Sequence, residues 1–181
     1  EITVWLEFRR VLFRSNFEKA KVLNSKWNLS FFSNQLRTFL FKFYNNLLGY
    51  NYVVQHFANV DENCTICSAA GLNDLSLETP LHLFYQCTIV ETLINDFYGG
   101  FLRINLTRDD LFLGFNTDDL KKDKILNIVN CLFLKYIWDT KLRYSVPNIV
   151  SLKNYIKSEL SVMSSVNKKT KELLSNFLQN F

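Results

Sequence analysis

Cys64-Thr-Ile-Cys67, followed after fourteen residues by His82-Leu-Phe-Tyr-Gln-Cys87, decides how the 181-residue chain is read. Two residues between Cys64 and Cys67 let both thiolates face one cation from a single tight turn, and His82 and Cys87 supply a second pair of donors from another segment. Thiolate plus imidazole is a donor set that suits zinc, which has no redox chemistry and accepts a tetrahedral cage. The spacer between the pairs is polar and turn-rich, as a loop joining two halves of a site should be. His82 and Cys87 are five residues apart, so a continuous α-helix would turn them about 140° away from one another. If both bind one ion, the helix must break near Gln86.

Other readings of these residues stand beside that one. A Cys-x-x-Cys is also the pattern of a thioredoxin-type redox dithiol, although that motif opens a helix after a strand and no strand is expected before Cys64. The four residues could be unlinked and merely buried. A disulfide scaffold is the fourth reading, but a chain with this much apolar sequence does not need staples. Cys131 falls inside an apolar helical face and reads as a small core residue. His56, beside Phe57, reads as an ordinary partly buried histidine that could replace a ligand.

Outward from this stretch the pattern is helical. Over Asn34–Leu48, Leu36, Phe39, Leu40, Phe43 and Leu47 follow the spacing of a buried stripe. Ser33 is placed to cap its start, and Gly49 stands where a left-handed residue would end it. Tyr50–Val60 predicts a short helix or extended lead-in, and Asp61–Glu78 a polar loop. Thr79-Pro80 restarts a helix, with threonine as N-cap and proline at the first helical position. Thr88–Tyr98 predicts another, ended by Gly99-Gly100, and Asp109-Asp110-Leu111 opens a short turn toward Gly114. Leu120–Arg143 carries Ile125, Ile128, Val129, Leu132, Phe133, Tyr136 and Ile137 on one wide face. Asp118 and Asp119 at its start and Lys141 and Arg143 at its end complement the helix dipole. Helices over Asn148–Met163 and, more weakly, Asn167–Phe181 complete the chain. No stretch alternates with period two. The fold class is mostly α, a helical domain with an irregular zinc-binding loop of Cys-Cys-His-Cys type.

Composition agrees with one well-packed body. The chain is 48% hydrophobic and 21% charged, with seventeen Phe, eight Tyr and three Trp, which excludes a disordered segment. No apolar run approaches the ~18–20 residues of a bilayer span. A net charge of +4 is too mild to announce a nucleic-acid binder. Leu6–Ser15 matches, over ten codons, the in-frame translation of a common sequencing-adapter oligonucleotide. Residues 1–15 are therefore read as a scar rather than native structure, with native sequence cut off upstream of Asn16. Setting aside their three arginines and two glutamates lowers the net charge only to +3. Residues 16–118 then form N-terminal helices plus the zinc-binding module, and residues 119–181 are C-terminal helices packing on it.

Phe39-Leu-Phe-Lys-Phe-Tyr-Asn-Asn-Leu-Leu48, Cys64-Thr-Ile-Cys67 and Glu78-Thr-Pro-Leu-His-Leu-Phe-Tyr-Gln-Cys87 occur in that order. This resembles the zinc-binding region on the C-terminal side of reverse transcriptases from non-LTR retrotransposons, over roughly Gln35–Phe97. The Glu-Thr-x-x-His-Leu-Phe-x-x-Cys block carries the likeness through Glu78, Thr79, His82, Leu83, Phe84 and Cys87. The resemblance implies structural Zn2+ on Cys64, Cys67, His82 and Cys87, and a non-catalytic module that helps an upstream polymerase domain hold template RNA or target DNA. It implies an intracellular location, nuclear or cytoplasmic, with no membrane partner. This chain departs from an obvious nucleic-acid binder in lacking a dense basic cluster. Arg37, Lys42, Lys121, Lys122 and Lys124 are the candidate contacts, with Lys168-Lys-Thr-Lys171 a second patch that also suits a solvated helix face.

No catalytic signature stands out. A polymerase needs paired carboxylates that hold two metal ions. Here the acidic doublets Asp109-Asp110 and Asp118-Asp119 precede apolar or helical runs and read as caps. No Gly-rich phosphate loop or His-Glu-x-x-His occurs. The expectation is a non-enzymatic piece whose parent polyprotein would be an RNA-directed DNA polymerase; the alternative is a zinc-stapled scaffold or interaction domain that binds no nucleic acid.

Overall fold

The computed structural model describes residues 32–72, 76–117 and 119–166, and near the end Lys171, Glu172, Leu174 and Phe177. The adapter-like residues 1–15, Asp118, Lys168–Thr170 and most of the expected terminal helix lie outside them. The fold is mostly helical, and among the described residues the only β pairing is an isolated antiparallel bridge, Asn63 with Leu77. Helices α1 (Asn34–Tyr44), α2 (Asn51–Val54) and α3 (Thr65–Ala69) lead into a π-helix, His82–Gln86. Then come α4 (Thr88–Ile94), a second π-helix (Asn95–Phe101), α5 (Arg108–Leu113), α6 (Leu120–Leu142) and α7 (Ile149–Val166).

Helix α6 is the axle. Its buried residues, polar as well as apolar, lie on nearly every side between Leu126 and Lys141, as in a helix enclosed by others. Leu126, Ile128, Val129, Cys131, Leu132, Phe133, Leu134, Tyr136 and Ile137 are all buried, so the buried surface is wider than the single face expected. Helices α1 and α7 pack against it, and α3 and the first π-helix touch it as well. Its buried polar residues tie down the preceding segment. The Asn127 amide accepts from Phe115 N at 2.6 Å and donates to Phe115 O at 3.0 Å. Asn130 donates to Leu111 O at 2.8 Å and accepts from the Tyr98 hydroxyl at 2.9 Å. The Asp123 carboxylate accepts from the backbone N–H and the hydroxyl of Thr117. An unpaired buried amide or carboxylate is costly, so these bonds fix register as well as position.

Several local expectations need correction. Helix α1 begins under its Ser33 cap but ends at Tyr44, because Asn46 takes the left-handed conformation at φ 54°. Leu47 N donates to Lys42 O and Asn46 N to Phe43 O, the paired bonds of a Schellman end. Gly49 therefore plays no left-handed role, and Leu47 is 53% exposed while Leu48 takes the buried place. Gly99 and Gly100 do not stop the helix they follow; both lie inside the second π-helix, and the left-handed residue beyond it is Arg103. The expected Asp61–Glu78 loop contains a helix, α3, with Thr65, Ile66 and Cys67 buried. Asp109 and Asp110 lie in the first turn of α5, but the cap is Thr107, which exchanges bonds with Asp110. Asp119 caps α6 as expected. His56 is exposed rather than partly buried.

Candidate metal centre

Each of the four expected ligands is set by a helix boundary. Cys64, extended at φ −62° and ψ 119°, is the residue before α3, and Cys67 lies within it. The bridge holds this knuckle against the returning chain through Cys64 N to Ser76 O and Glu78 N to Glu62 O. The Thr79 hydroxyl accepts from His82 N at 3.1 Å and caps the turn that carries the imidazole. The required break near Gln86 takes the form of a π-turn: Cys87 N donates to His82 O at 2.7 Å. An i to i+5 turn is wider than an α-turn and sets residues five apart nearly one above the other. Cys87 then turns extended and starts α4.

The four donors converge. Cys67 Sγ lies 3.4 Å from Cys87 Sγ and 3.6 Å from His82 Nε2. All four ligand atoms lie within 4.8 Å of one another. A tetrahedral ion with metal–sulfur bonds of ~2.3 Å and metal–nitrogen bonds of ~2.0 Å has edges of ~3.8 Å and ~3.5 Å. The donor spacing therefore suits such an ion with small adjustments. The three sulfurs are fully buried and His82 nearly so. None of the four cysteines is in a disulfide, so the scaffold of disulfides falls away. The group can hold a metal ion.

Protonation within the cluster is uneven. Cys64 is pushed far above the usual thiol range, first by the hydrogen bond it shares with Cys87 and then by burial. Cys87 is lowered to about 4, first by that same bond, with His82, the Val90 N–H and Cys67 acting in the same direction against burial. Cys131, remote in the core of α6, is raised by burial alone, as a structural thiol should be.

The candidate nucleic-acid contacts are not drawn into one cluster by sequence position. Arg37 and Lys42 are exposed on α1 but five residues apart, hence about 140° around the helix. The Arg37 guanidinium donates to Asn34 Oδ1. Lys121 and Lys122 are exposed in the first turn of α6, and Lys124 is half-buried. Asp123 between them is buried, so the run does not form one solvated face.

One pairing was not expected from the sequence. Glu78 and Lys141 form a buried ion pair at 2.7 Å, beside the knuckle. The sequence marks Glu78 only as part of the Glu-Thr-x-x-His block and Lys141 only as a charge complementing the helix dipole, and nothing in the local sequence pairs them. No protein-family model, curated protein or solved structure matches the chain. Among the described residues no helix is long and apolar enough to cross a membrane.

Proposed function

We propose that the chain is a non-catalytic zinc module adjoining a retrotransposon reverse transcriptase, where it helps hold template RNA or target DNA. The observation that carries the metal part is the convergence of three buried sulfurs and one imidazole at tetrahedral spacing. Four protein donors leave no open coordination position, the mark of a structural rather than a catalytic zinc. The order of motifs from Phe39 to Cys87 supports the polymerase parentage, and exposed Arg37, Lys42, Lys121 and Lys122 supply cations for phosphate contact. The test is binding of single-stranded RNA and duplex DNA over a salt series. Phosphate contacts predict affinity that falls steeply as salt rises, with a shallower slope after Arg37→Ala or Lys121→Ala. Absence of binding at low salt contradicts the reading.

A specific observation favours a second reading, a zinc-stapled scaffold for protein contact. Leu142, Tyr144, Val146 and Val150, along the turn from α6 to α7, are all exposed, as is Phe57. On this reading nucleic-acid affinity is nil at every salt concentration, while loss of the metal still unfolds the knuckle.

A further inference from the structure

Glu78 carries no ligand atom in the cluster, yet its carboxylate is fully buried beside it. Burial of a carboxylate requires that its lone pairs be satisfied, and here three different parts of the fold do so. Oε2 accepts from the backbone N–H of Thr65, the residue directly after Cys64, at 2.8 Å. Oε1 accepts from the backbone N–H of Asn51 at the head of α2, at 3.0 Å, and from Lys141 Nζ at 2.7 Å. Lys141, in the last turn of α6, also donates to Gly49 O at 2.7 Å and sits 4.6 Å from the centre of the Trp138 ring. Asn51 closes the circuit: its amide donates to Asn63 O and to the Thr65 hydroxyl. One carboxylate thus joins the knuckle, the strand-like return toward His82, the α1–α2 junction and the end of the central helix.

We infer that Glu78 is a positioning residue that couples metal loading to the seating of the C-terminal end of α6 through Lys141. The inference rests on the metal-centre reading. Loading pins the Cys64 turn to the segment that carries His82, and so reinforces the register that the Asn63–Leu77 bridge sets between Thr65 N and the Glu78 carboxylate. With that register lost, the carboxylate escapes to water and Lys141 loses its buried partner. Linkage is reciprocal: what metal does for Lys141, Lys141 does for metal. Removing the ammonium leaves an uncompensated carboxylate buried beside three metal-binding sulfurs, so metal affinity falls although Lys141 is not a ligand.

Cobalt(II) titration of the full chain, read by its thiolate absorption and by competition with a chelator, tests this in wild type, Glu78→Gln, Lys141→Met and the double variant. Outer partners of metal ligands typically account for about 10–100-fold in affinity, and each single variant is expected to lose at least about tenfold. The double variant loses no more than the worse single, since both break one route. Lys135→Met, which removes a charge from the same helix in an i, i+4 pair with Asp139, stays within about twofold of wild type. Single variants that match wild type, or losses that multiply in the double, overturn the coupling alone. A wild-type chain that takes up no cobalt removes the metal centre itself. If a variant fails to fold, hydrogen exchange of the wild type decides: chelation should speed exchange at residues 138–143 more than in the middle of α7, and equal change in both overturns the proposal.

Discussion

Cys67 Sγ and Cys87 Sγ stand 3.4 Å apart across twenty residues of sequence, and both are inaccessible to solvent. The contact exists because two helix starts, those of α3 and α4, are aimed at each other by the π-turn between His82 and Cys87. Thiols so placed are protected by the fold and by any ion they share.

Alkylation should report this protection. In the metal-loaded chain all four cysteines resist iodoacetamide, since each is buried. Chelation exposes Cys64, Cys67 and Cys87 but leaves Cys131, held in the core of α6, unmodified until global unfolding. Peptide mass spectrometry that finds Cys131 labelled together with the other three contradicts this division.

Metal uptake should release protons in a defined pattern. The ligand form is the thiolate, so Cys64, raised above its usual range, must give up a proton on loading at neutral pH. Affinity therefore climbs as pH rises through neutrality, because the metal-free state binds more protons than the loaded one. Calorimetry in buffers of different ionisation enthalpy measures the number; zero protons released at pH 7 contradicts the assignment.

Buried Tyr98 contributes to an alkaline limit, together with Tyr44, Tyr50 and Tyr155, whose phenols burial also raises. The Tyr98 phenol is raised well above the ordinary value, first by burial, so the folded state favours the neutral form. A raised acid contributes stability that is complete below its unfolded pKa, about 10, and is lost as pH rises beyond it. Stability should fall above about pH 10. Tyr98→Phe should cost about 1–3 kcal/mol at neutral pH, since it strips Asn130 Oδ1 of its donor, and should flatten the alkaline decline. Chemical denaturation across pH checks both signs, and an unchanged decline in the variant would exclude Tyr98 as a source.

Helix α6 ends on a residue poorly suited to its backbone. Tyr144 holds φ 49° and is largely exposed, while Tyr144 N bonds Lys141 O and Ser145 N bonds Thr140 O in a Schellman end. A side chain in the left-handed region costs roughly 1 kcal/mol relative to glycine. Tyr144→Gly should therefore raise the stability of the loaded protein by about 0.5–1 kcal/mol in urea unfolding, despite the added freedom of the unfolded chain. A loss of stability would mean that the exposed ring makes contacts that outweigh the backbone strain.

These residues also show where sequence stops informing. The stripe of α1, the caps at Ser33, Thr79 and Asp119 and the grouping of Cys64, Cys67, His82 and Cys87 were legible because each depends on local spacing or on the chemistry of one residue type. The ends of α1 and of the Thr88 helix were not. Glycine is the usual left-handed residue, yet Asn46, Arg103 and Tyr144 fill that role while Gly49, Gly99 and Gly100 do not. Chain direction there is set by tertiary packing: Phe43 lies edge-on to Phe84 at 5.2 Å, Phe84 meets Tyr50, and Tyr50 meets Trp138 of α6. The Glu78–Lys141 pair was likewise invisible, because a charge is marked as buried only by partners brought from far along the chain.

The central claim is a single ion held by three sulfurs and one imidazole, and native mass spectrometry of the zinc-supplemented chain tests it most directly. The account predicts one zinc per chain, lost in Cys67→Ser and in His82→Ala together with order in the knuckle. A wild-type chain that keeps its near-ultraviolet circular dichroism without metal and takes up none would contradict it.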